Sequence, residues 1–198
     1  PVRYITNHST GKMGYAIAKI ASRRGAEVTL VSGPTAEEEP AFVNVVNVCS
    51  AKEMFEAVKE RAQEQDIIIK AAAVADYRPK HIRGSKMKKT EDGSDLTLEL
   101  ERTDDILAYL GAHKKQGQFL CGFAMETEDL IANAKRKLEK KRLDMIAANS
   151  LRVEGAGFGG NTNVVTVITK EKEVSLGKMT KEETAAELLT MIAEARKV

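Results

Sequence analysis

The stretch that most constrains the fold is DIIIKAAAVADY, residues 66–77. Its three consecutive isoleucines put apolar side chains on both faces of any strand they form. A strand with one face in water would alternate apolar and polar residues, whereas a strand buried on both faces is typical of a parallel sheet covered by helices. This stretch therefore favours an α/β fold.

The rest of the chain alternates between strand and helix patterns. Strand patterns occupy residues 2–6, 27–33, 43–48, 96–101, 118–126 and 144–149. Helix patterns occupy residues 13–26, 50–65, 103–117, 127–143 and 180–196, with Ser50, Thr103 and Thr127 as expected N-caps. Residues 164–169 and 172–177 predict a hairpin. We predict one α/β domain over residues 1–198, with a doubly wound, mostly parallel Rossmann-like sheet and a C-terminal hairpin.

Composition and charge exclude several classes of protein. A net charge of +2 gives no global electrostatic case for binding nucleic acid or a membrane surface. The two cysteines, Cys49 and Cys121, predict buried thiols in a reducing compartment and indicate neither a disulfide framework nor a metal cluster. No membrane span or signal peptide is visible, so we expect a cytoplasmic protein. The chain opens on Pro1, which suggests a piece of a longer protein.

A short polar loop, NHSTGKMG at residues 7–14, separates the first strand pattern from the first helix pattern. The start of a helix carries unpaired N–H groups and the positive end of the helix dipole, so it favours a phosphate, and glycines let the backbone come close. The loop is neither G-x-G-x-x-G nor a Walker A sequence. Its spacing alone leaves phosphate binding and a plain turn equally open.

Other polar residues stand at predicted strand ends or in loops, and each has a simpler interpretation. Asn7 suits a carboxylate or acyl group but can also cap a turn. Asp76 can bind a ribose hydroxyl, an amine or a metal, or serve as a cap. Lys86, in the run KMKK, can close over a polyphosphate or face solvent. Phe123 can stack on a base or belong to the core, and the pair Lys137 and Lys141 shares one helix face.

Taken together, these motifs resemble the phosphopantothenoylcysteine synthetase family, the ligase half of a bacterial bifunctional protein of coenzyme A biosynthesis. The resemblance rests on six features in family order, namely NHSTGKMG, AAAVADYRP, KMKK, GFAMET, the Lys137 and Lys141 pair, and AAN at residues 147–149.

The resemblance implies a reaction that joins 4′-phosphopantothenate to L-cysteine. It implies CTP as co-substrate, Mg²⁺ or another divalent cation, an acyl-cytidylate intermediate and release of pyrophosphate and CMP. It also implies a homodimer with the C-terminal hairpin at its interface, and fusion to or association with a flavin-dependent decarboxylase domain.

The resemblance also assigns roles to individual residues. Asn7 is expected to orient the acyl intermediate, and Lys86 to act as the lid lysine of the activation step. The expected nucleotide-binding residues are Ser9, Gly11, Gly14, Lys70, Asp76, Lys86, Asp104, Asp105, Ile106, Leu107, Phe123, Lys137 and Lys141. The metal ligands are unknown.

The chain departs from the family pattern at three points. Asp104 replaces a proline in the turn before Asp105, Lys70 stands where smaller residues are usual, and Gly160 and Asn161 replace a Ser-Asp pair. Two alternatives stay open: the same ligation driven by ATP, and a nucleotide-binding module without catalysis. A Rossmann oxidoreductase is disfavoured because G-x-G-x-x-G is absent.

Overall fold

The computed structural model describes residues 4–82, 84–85, 96–126, 129–150 and 160–196. Its helices are α1 (Lys12–Arg23), α2 (Ala51–Ala62), α3 (Ile106–Ala112), α4 (Leu130–Lys140) and α5 (Lys181–Ala195). Its strands are β1 (Thr29–Ser32), β2 (Asn44–Asn47), β3 (Ile67–Lys70), β4 (Tyr77–Pro79), β5 (Leu100–Arg102), β6 (Phe119–Glu126), β7 (Met145–Ser150), β8 (Thr162–Asn163), β9 (Val165–Thr169), β10 (Glu173–Ser175) and β11 (Met179–Thr180).

The largest sheet has five strands in the order β10-β9-β7-β6-β3. β3, β6 and β7 are parallel to one another, whereas β9 and β10 are antiparallel to their neighbours and form the expected hairpin. β1 and β2 form a separate parallel pair. The α/β class is confirmed, but the sheet is mixed, because the chain returns through a hairpin after β7 instead of another crossover helix. The doubly wound description stays a prediction.

Helices cover both faces of this sheet. On one face, α2, α3 and α4 bury apolar residues against β6 and β7. On the opposite face, α1 and α5 pack against the alternate residues of the same strands. The strand period of two explains the division, since successive side chains of one strand point to opposite faces. The residues of these two apolar layers that are fully buried include Leu143, Ile146, Ala147, Ala148, Val167, Ile168, Ala185 and Ile192.

Helix caps explain where most helices begin. Ser50 accepts a hydrogen bond from the Glu53 N–H at the start of α2, as expected. Thr180 and Glu183 form a reciprocal capping box at the start of α5.

The expected cap of α3 is wrong. Asp105 accepts from the Ala108 N–H, and the Thr103 hydroxyl instead donates to the Ala75 carbonyl at 2.6 Å. A tertiary contact thus displaces the helix start. Thr127, the expected cap of α4, lies outside the described residues.

Two strand predictions are wrong where the structure describes them. Residues 4–6 form no strand, and Tyr4 is 81% exposed, so its side chain has no sheet face on which to pack. Residues 96–99 are also irregular, and only Leu100–Arg102 of this stretch pairs, with β4.

The two cysteines lie in different environments. Cys121 is buried in β6, and burial raises the pKa of its thiol. Cys49 is exposed, so the expectation that both thiols are buried is wrong for this residue. Among the residues that the structure describes, no helix combines the length and the apolar character needed to cross a bilayer.

Gly111 provides a test of the packing between α3 and the end of α4. A Cβ atom at this position would lie 1.8 Å from the Lys141 carbonyl oxygen, which belongs to the backbone and cannot rotate away. We expect Gly111→Ala to lower the free energy of unfolding by about 3 kcal/mol, measured by urea denaturation. Gly177→Ala is the matched control, because no atom lies within 4 Å of its added Cβ. Equal stability of the two variants would contradict this packing.

Candidate functional site at the carboxyl edge of the sheet

The parallel strands β3, β6 and β7 end at one edge of the sheet. Ligands of open α/β sheets lie outside this carboxyl edge. The segment before α1 reaches the same edge, because the Asn7 side-chain amide donates to the Ala73 and Val74 carbonyls at 3.3 and 3.2 Å. These bonds use the Asn7 N–H groups, and its amide oxygen makes no hydrogen bond within the described part of the chain, so this acceptor can contact a ligand.

The start of α1 has features that suit an anion, one of the two interpretations that the sequence left open. Gly11 occupies the N-cap with a left-handed φ of 79°, and no side chain caps the helix there. The first turn carries no acidic residue. A Cβ at Gly11 would lie 3.0 Å from the Thr35 hydroxyl oxygen, which itself donates to the Thr10 carbonyl at 2.7 Å. Glycine is therefore required here by both conformation and space.

Ser9 and Gly14 complete the segment that the sequence singled out. Ser9 is exposed beside the helix start. Gly14 has only the Ala71 Cβ, 4.0 Å away, near its missing side chain. Packing among the described residues thus does not demand glycine at position 14, in contrast to Gly11. An added side chain there would instead fill space between the first turn of α1 and the segment after β3.

An ion pair joins α3 to the end of α4 near the end of β3. The Lys141 ammonium lies 3.0 and 2.7 Å from the two Asp105 carboxylate oxygens. Burial opposes ionisation of Asp105, but the bonds from Lys141 and from the Ala108 N–H lower the pKa of this carboxyl below its ordinary value. Asp105 is thus anionic and already paired, and it serves as both helix cap and counter-ion.

Lys70 brings a further positive charge to this group. Burial at the end of β3 lowers the pKa of Lys70, and repulsion from Lys141 and Lys137 adds to the effect. Attraction to Asp105 and to the exposed Asp76 opposes it. The Lys70 ammonium makes no hydrogen bond or ion pair with the residues that the structure describes. Three lysines and two aspartates therefore leave this corner net positive, which favours an anionic ligand.

The remaining residues predicted to bind the nucleotide do not all lie in this positively charged corner. Ile106 and Leu107 are each 3% exposed, so their side chains belong to the core and only their backbone can meet a ligand. Asp104 is exposed. Phe123 packs on the α1 and α5 face of the sheet, whereas α4, with Lys137, covers the opposite face. A nucleotide that contacts both must cross the strand ends. Lys86 lies outside the described residues.

Sequence reasoning missed a pair of buried amides at this edge. The Asn149 side-chain amide donates to the Asn163 side-chain oxygen at 2.8 Å, and the Val164 N–H donates to the same oxygen at 3.2 Å. The backbone donor fixes the orientation of Asn163 and hence that of Asn149. The Asn149 side-chain oxygen is left buried without a partner in the described structure. The sequence offered one signal for Asn149, a polar residue at the end of an apolar strand. The motif AAN includes this residue, but no role was assigned to it.

Sequence reasoning also missed Lys181, the first residue of α5. Its side chain is buried, and its ammonium donates to the Gly160 carbonyl at 2.5 Å. Asn161, beside it, accepts from the Lys12 ammonium at 2.9 Å. A lysine in the first turn of a helix opposes the helix dipole, and this unfavourable position was the signal that could have been used.

Comparisons with known proteins cover nearly the whole chain. The family described as the DNA/pantothenate metabolism flavoprotein C-terminal domain matches residues 1–195. The coenzyme A biosynthesis bifunctional protein CoaBC of Vibrio vulnificus is 47% identical over 192 residues, covering 97% of this chain and 48% of that protein. The protein of the same name from Bacillus subtilis is 47% identical over 199 residues, covering 100% of this chain and 48% of that protein.

A solved structure agrees with these sequence matches. The crystal structure of the C-terminal domain of a coenzyme A biosynthesis bifunctional protein CoaBC gives a TM-score of 0.81 at 45% identity, and the match covers 97% of this chain and 86% of that one. The chain spans about half the length of the curated relatives it matches.

Lys70 gives a pH-dependent test of this corner. Below its lowered pKa, the charge of Lys70 destabilises the folded state. We therefore expect Lys70→Met to raise the melting temperature by a few degrees at pH 7. As the pH rises through the folded-state pKa of Lys70 towards the ordinary value of 10.5, the folded protein loses this charge before the unfolded protein does. The difference in melting temperature between Lys70→Met and the wild type must therefore shrink.

Thermal unfolding between about pH 7 and pH 10 measures this effect. Lys52→Met, at an exposed position of α2, is the matched control and should show neither the gain nor its decline. A gain for Lys70→Met that stays constant with pH would contradict the assigned electrostatics.

Proposed function

The chain belongs to the phosphopantothenoylcysteine synthetase family, the C-terminal domain of DNA/pantothenate metabolism flavoproteins, and from this premise we propose that it is a phosphopantothenate–cysteine ligase domain. In this proposal it joins 4′-phosphopantothenate and L-cysteine with CTP, through an acyl-cytidylate, and forms phosphopantothenoylcysteine, CMP and pyrophosphate in coenzyme A biosynthesis. ATP is the alternative nucleotide.

The observation that carries the proposal is the contact between Asn7 and the carbonyls of Ala73 and Val74. It joins two motifs that the sequence separates, NHSTGKMG and AAAVADYRP, at the carboxyl edge of the sheet. In this proposal the acceptor oxygen of Asn7 and the carboxylate of Asp76, which follows Val74 by two residues, serve one site. A ligase that activates an acid with a nucleotide needs a phosphate cradle and an acyl-orienting group side by side.

The first step activates the acid. A carboxylate oxygen of phosphopantothenate attacks the α-phosphorus of CTP, the bond between the α- and β-phosphates breaks, and pyrophosphate leaves. The N-terminal N–H groups of α1, with Ser9, Gly11 and Gly14, are the proposed phosphate cradle. Lys86 is proposed to stabilise the charge that develops on the leaving pyrophosphate. Phe123, Lys137 and Lys141 are the proposed cytidine contacts.

The second step forms the amide. The cysteine amine attacks the acyl carbon, the bond to the CMP oxygen breaks, CMP leaves, and the proton of the amine passes to solvent. We assign Asn7 to this step, because its amide oxygen is an acceptor for an N–H of the attacking amine. Its N–H groups stay bound to Ala73 and Val74, so the acceptor is held in a fixed direction.

A divalent cation belongs to the proposal as a companion of the triphosphate. The described residues contain no group of three or more His, Cys, Asp or Glu side chains arranged to hold a metal ion, so they do not form a cage for Mg²⁺. Mg²⁺ binds through substrate phosphates and few carboxylates in many enzymes, and it neutralises phosphate charge there. We assign it no protein ligand.

The proposal extends to the surroundings of the domain. The relatives named above are bifunctional proteins about twice as long as the matched segment. We propose that this domain works with a flavin-dependent decarboxylase domain, as a homodimer with the β9–β10 hairpin at the interface, in the cytoplasm. The formal net charge of +2 offers no general attraction to nucleic acid.

The direct test of the proposed function is product formation. The protein is incubated with 4′-phosphopantothenate, L-cysteine and Mg²⁺, and with either CTP or ATP, and phosphopantothenoylcysteine is detected by mass spectrometry. We expect product with CTP and much less with ATP. A preference for ATP would keep the ligation and correct the nucleotide, whereas folded protein that yields no product with either would reject the ligase function.

Lys86→Gln is expected to block pyrophosphate release from CTP and phosphopantothenate. The substitution removes the proposed positive charge from the leaving group, and losing one such contact costs roughly 10²- to 10³-fold in rate. Coupled pyrophosphate detection measures the step. Lys52→Gln, at an exposed position of α2, is the matched control. Unchanged release by Lys86→Gln would remove this lysine from the mechanism.

Asn7→Asp is expected to slow amide formation by roughly 10²-fold and pyrophosphate release much less. The carboxylate keeps an acceptor oxygen, but it loses the N–H groups that hold this acceptor in a fixed direction against the Ala73 and Val74 carbonyls. Rapid-quench measurement of both products separates the steps. Asn44→Asp, on the exposed edge of β2, controls for the added charge. An equal loss in both steps would mean that Asn7 acts only by anchoring its loop to Ala73 and Val74.

A further inference from the structure

Lys181 combines features that rarely occur together. It is only 7% exposed, it is the first residue of α5, and the positive end of the helix dipole opposes its charge. Burial lowers the pKa of Lys181, and repulsion from Lys12 lowers it further, while Glu37 opposes the shift. A buried cation of this kind persists only where its bonds offset the cost of removing it from water.

Three of the described contacts of Lys181 go to one short segment. The Lys181 ammonium donates to the Gly160 carbonyl at 2.5 Å and approaches the Thr162 carbonyl at 3.4 Å. Its backbone N–H donates to the Asn161 carbonyl at 2.9 Å. Three consecutive carbonyls, those of residues 160–162, are therefore held by one lysine, and the segment enters β8 with a fixed path.

The side chains of this segment reach two groups of the proposed site. Asn161 accepts from the Lys12 ammonium at 2.9 Å, and Lys12 is the first residue of α1. Asn163 accepts from Asn149, whose own side-chain oxygen is the buried acceptor without a partner in the described structure. Asn163 also lies 3.7 Å from the Met13 sulfur on the first turn of α1.

We propose that Lys181 is a positioning residue of the nucleotide site, which holds residues 160–163 so that Asn161 and Asn163 fix Lys12 and Asn149 beside the start of α1. Lys181 itself touches no reacting atom in this account. The site assignment rests on the proposed function, whereas the mechanical link from Lys181 to Lys12 and Asn149 rests on the bonds alone.

The first measurement is nucleotide affinity. Titration calorimetry with CTP compares the wild type with Lys181→Met, which keeps the apolar stem and removes the ammonium. We expect the dissociation constant to rise about tenfold or more, as for other groups that orient ligand-binding side chains. Lys181→Arg, which keeps the charge and the donors, should recover most of the affinity. Lys178→Met, at an exposed position three residues away, should bind as the wild type does.

The second measurement is a double-mutant cycle with Asn161→Ala. If Lys181 acts on the nucleotide through Asn161, the combined variant should bind CTP about as weakly as the weaker single variant. Additive losses, or a well-folded Lys181→Met with unchanged affinity, would overturn the proposal. Should Lys181→Met fail to fold, the affinities of Lys181→Arg and Asn161→Ala for CTP test the proposal instead. Affinity of Asn161→Ala equal to that of the wild type would contradict the proposed link to Lys12.

The third measurement separates this inference from the proposed function. Hydrogen exchange monitored by mass spectrometry follows the amides of residues 160–164 and 12–16 in the free protein. Faster exchange in both segments of Lys181→Met, and not of Lys178→Met, supports the link even if no nucleotide binds. Unchanged exchange in residues 12–16 would overturn the link, while absent binding of CTP and ATP by the wild type would count against the proposed function.

Discussion

The parallel pairing of β6 with β7 is the interaction on which the other parts of the structure depend. Asp144 fixes its amino-terminal end: the carboxylate accepts from the Leu120 N–H at 2.7 Å and from the Lys114 ammonium at 2.7 and 2.8 Å. From this point the two strands run together to the carboxyl edge, with apolar side chains alternating between the two helical layers. Both helical faces and the position of the edge follow from this pairing.

At the carboxyl edge of the sheet, the apolar side chains of the core give way to polar and charged side chains. Asn7 and Asn149 each present an amide oxygen there without a protein partner among the described residues, and lysines approach from both faces. Lys12 and Lys181 belong to the α1 and α5 side, and Lys70, Lys137 and Lys141 to the side of α4. A triphosphate crossing the strand ends would meet positive charge from both layers, which suits a reaction that must stabilise a departing pyrophosphate.

Local signals determined how much of the fold could be predicted. Helix α2 was predicted together with its cap, Ser50, because the capping bond joins residues three apart. The start of α3 was missed because Thr103 bonds to Ala75, a contact between segments that no local pattern reveals. The antiparallel pairing of β9 with β7 was not predicted, because strand direction after β7 depends on tertiary pairing.

The candidate site shows the same division. The resemblance identified Asn7 and the two glycines Gly11 and Gly14 at the start of α1, and the structure joins Asn7 to the segment after β3. Asn149 and Lys181 received no role, because their importance comes from partners far along the chain, Asn163 and residues 160–162. Sequence motifs therefore drew attention to groups at the carboxyl edge, and not to the buried groups that hold neighbouring segments in place.

The acyl-nucleotide is the central chemical claim of this account, and it can be isolated. The protein is mixed with CTP, 4′-phosphopantothenate and Mg²⁺ without cysteine, at enzyme concentrations near those of the substrates, then quenched and analysed by mass spectrometry. The account predicts a species with the mass of phosphopantothenoyl-cytidylate and an equal amount of pyrophosphate. Once cysteine is added, the cytidylate must be consumed and an equal amount of CMP released, while the pyrophosphate formed earlier stays unchanged. Product formation with cysteine, but release of cytidine diphosphate and phosphate in place of this species, would contradict it.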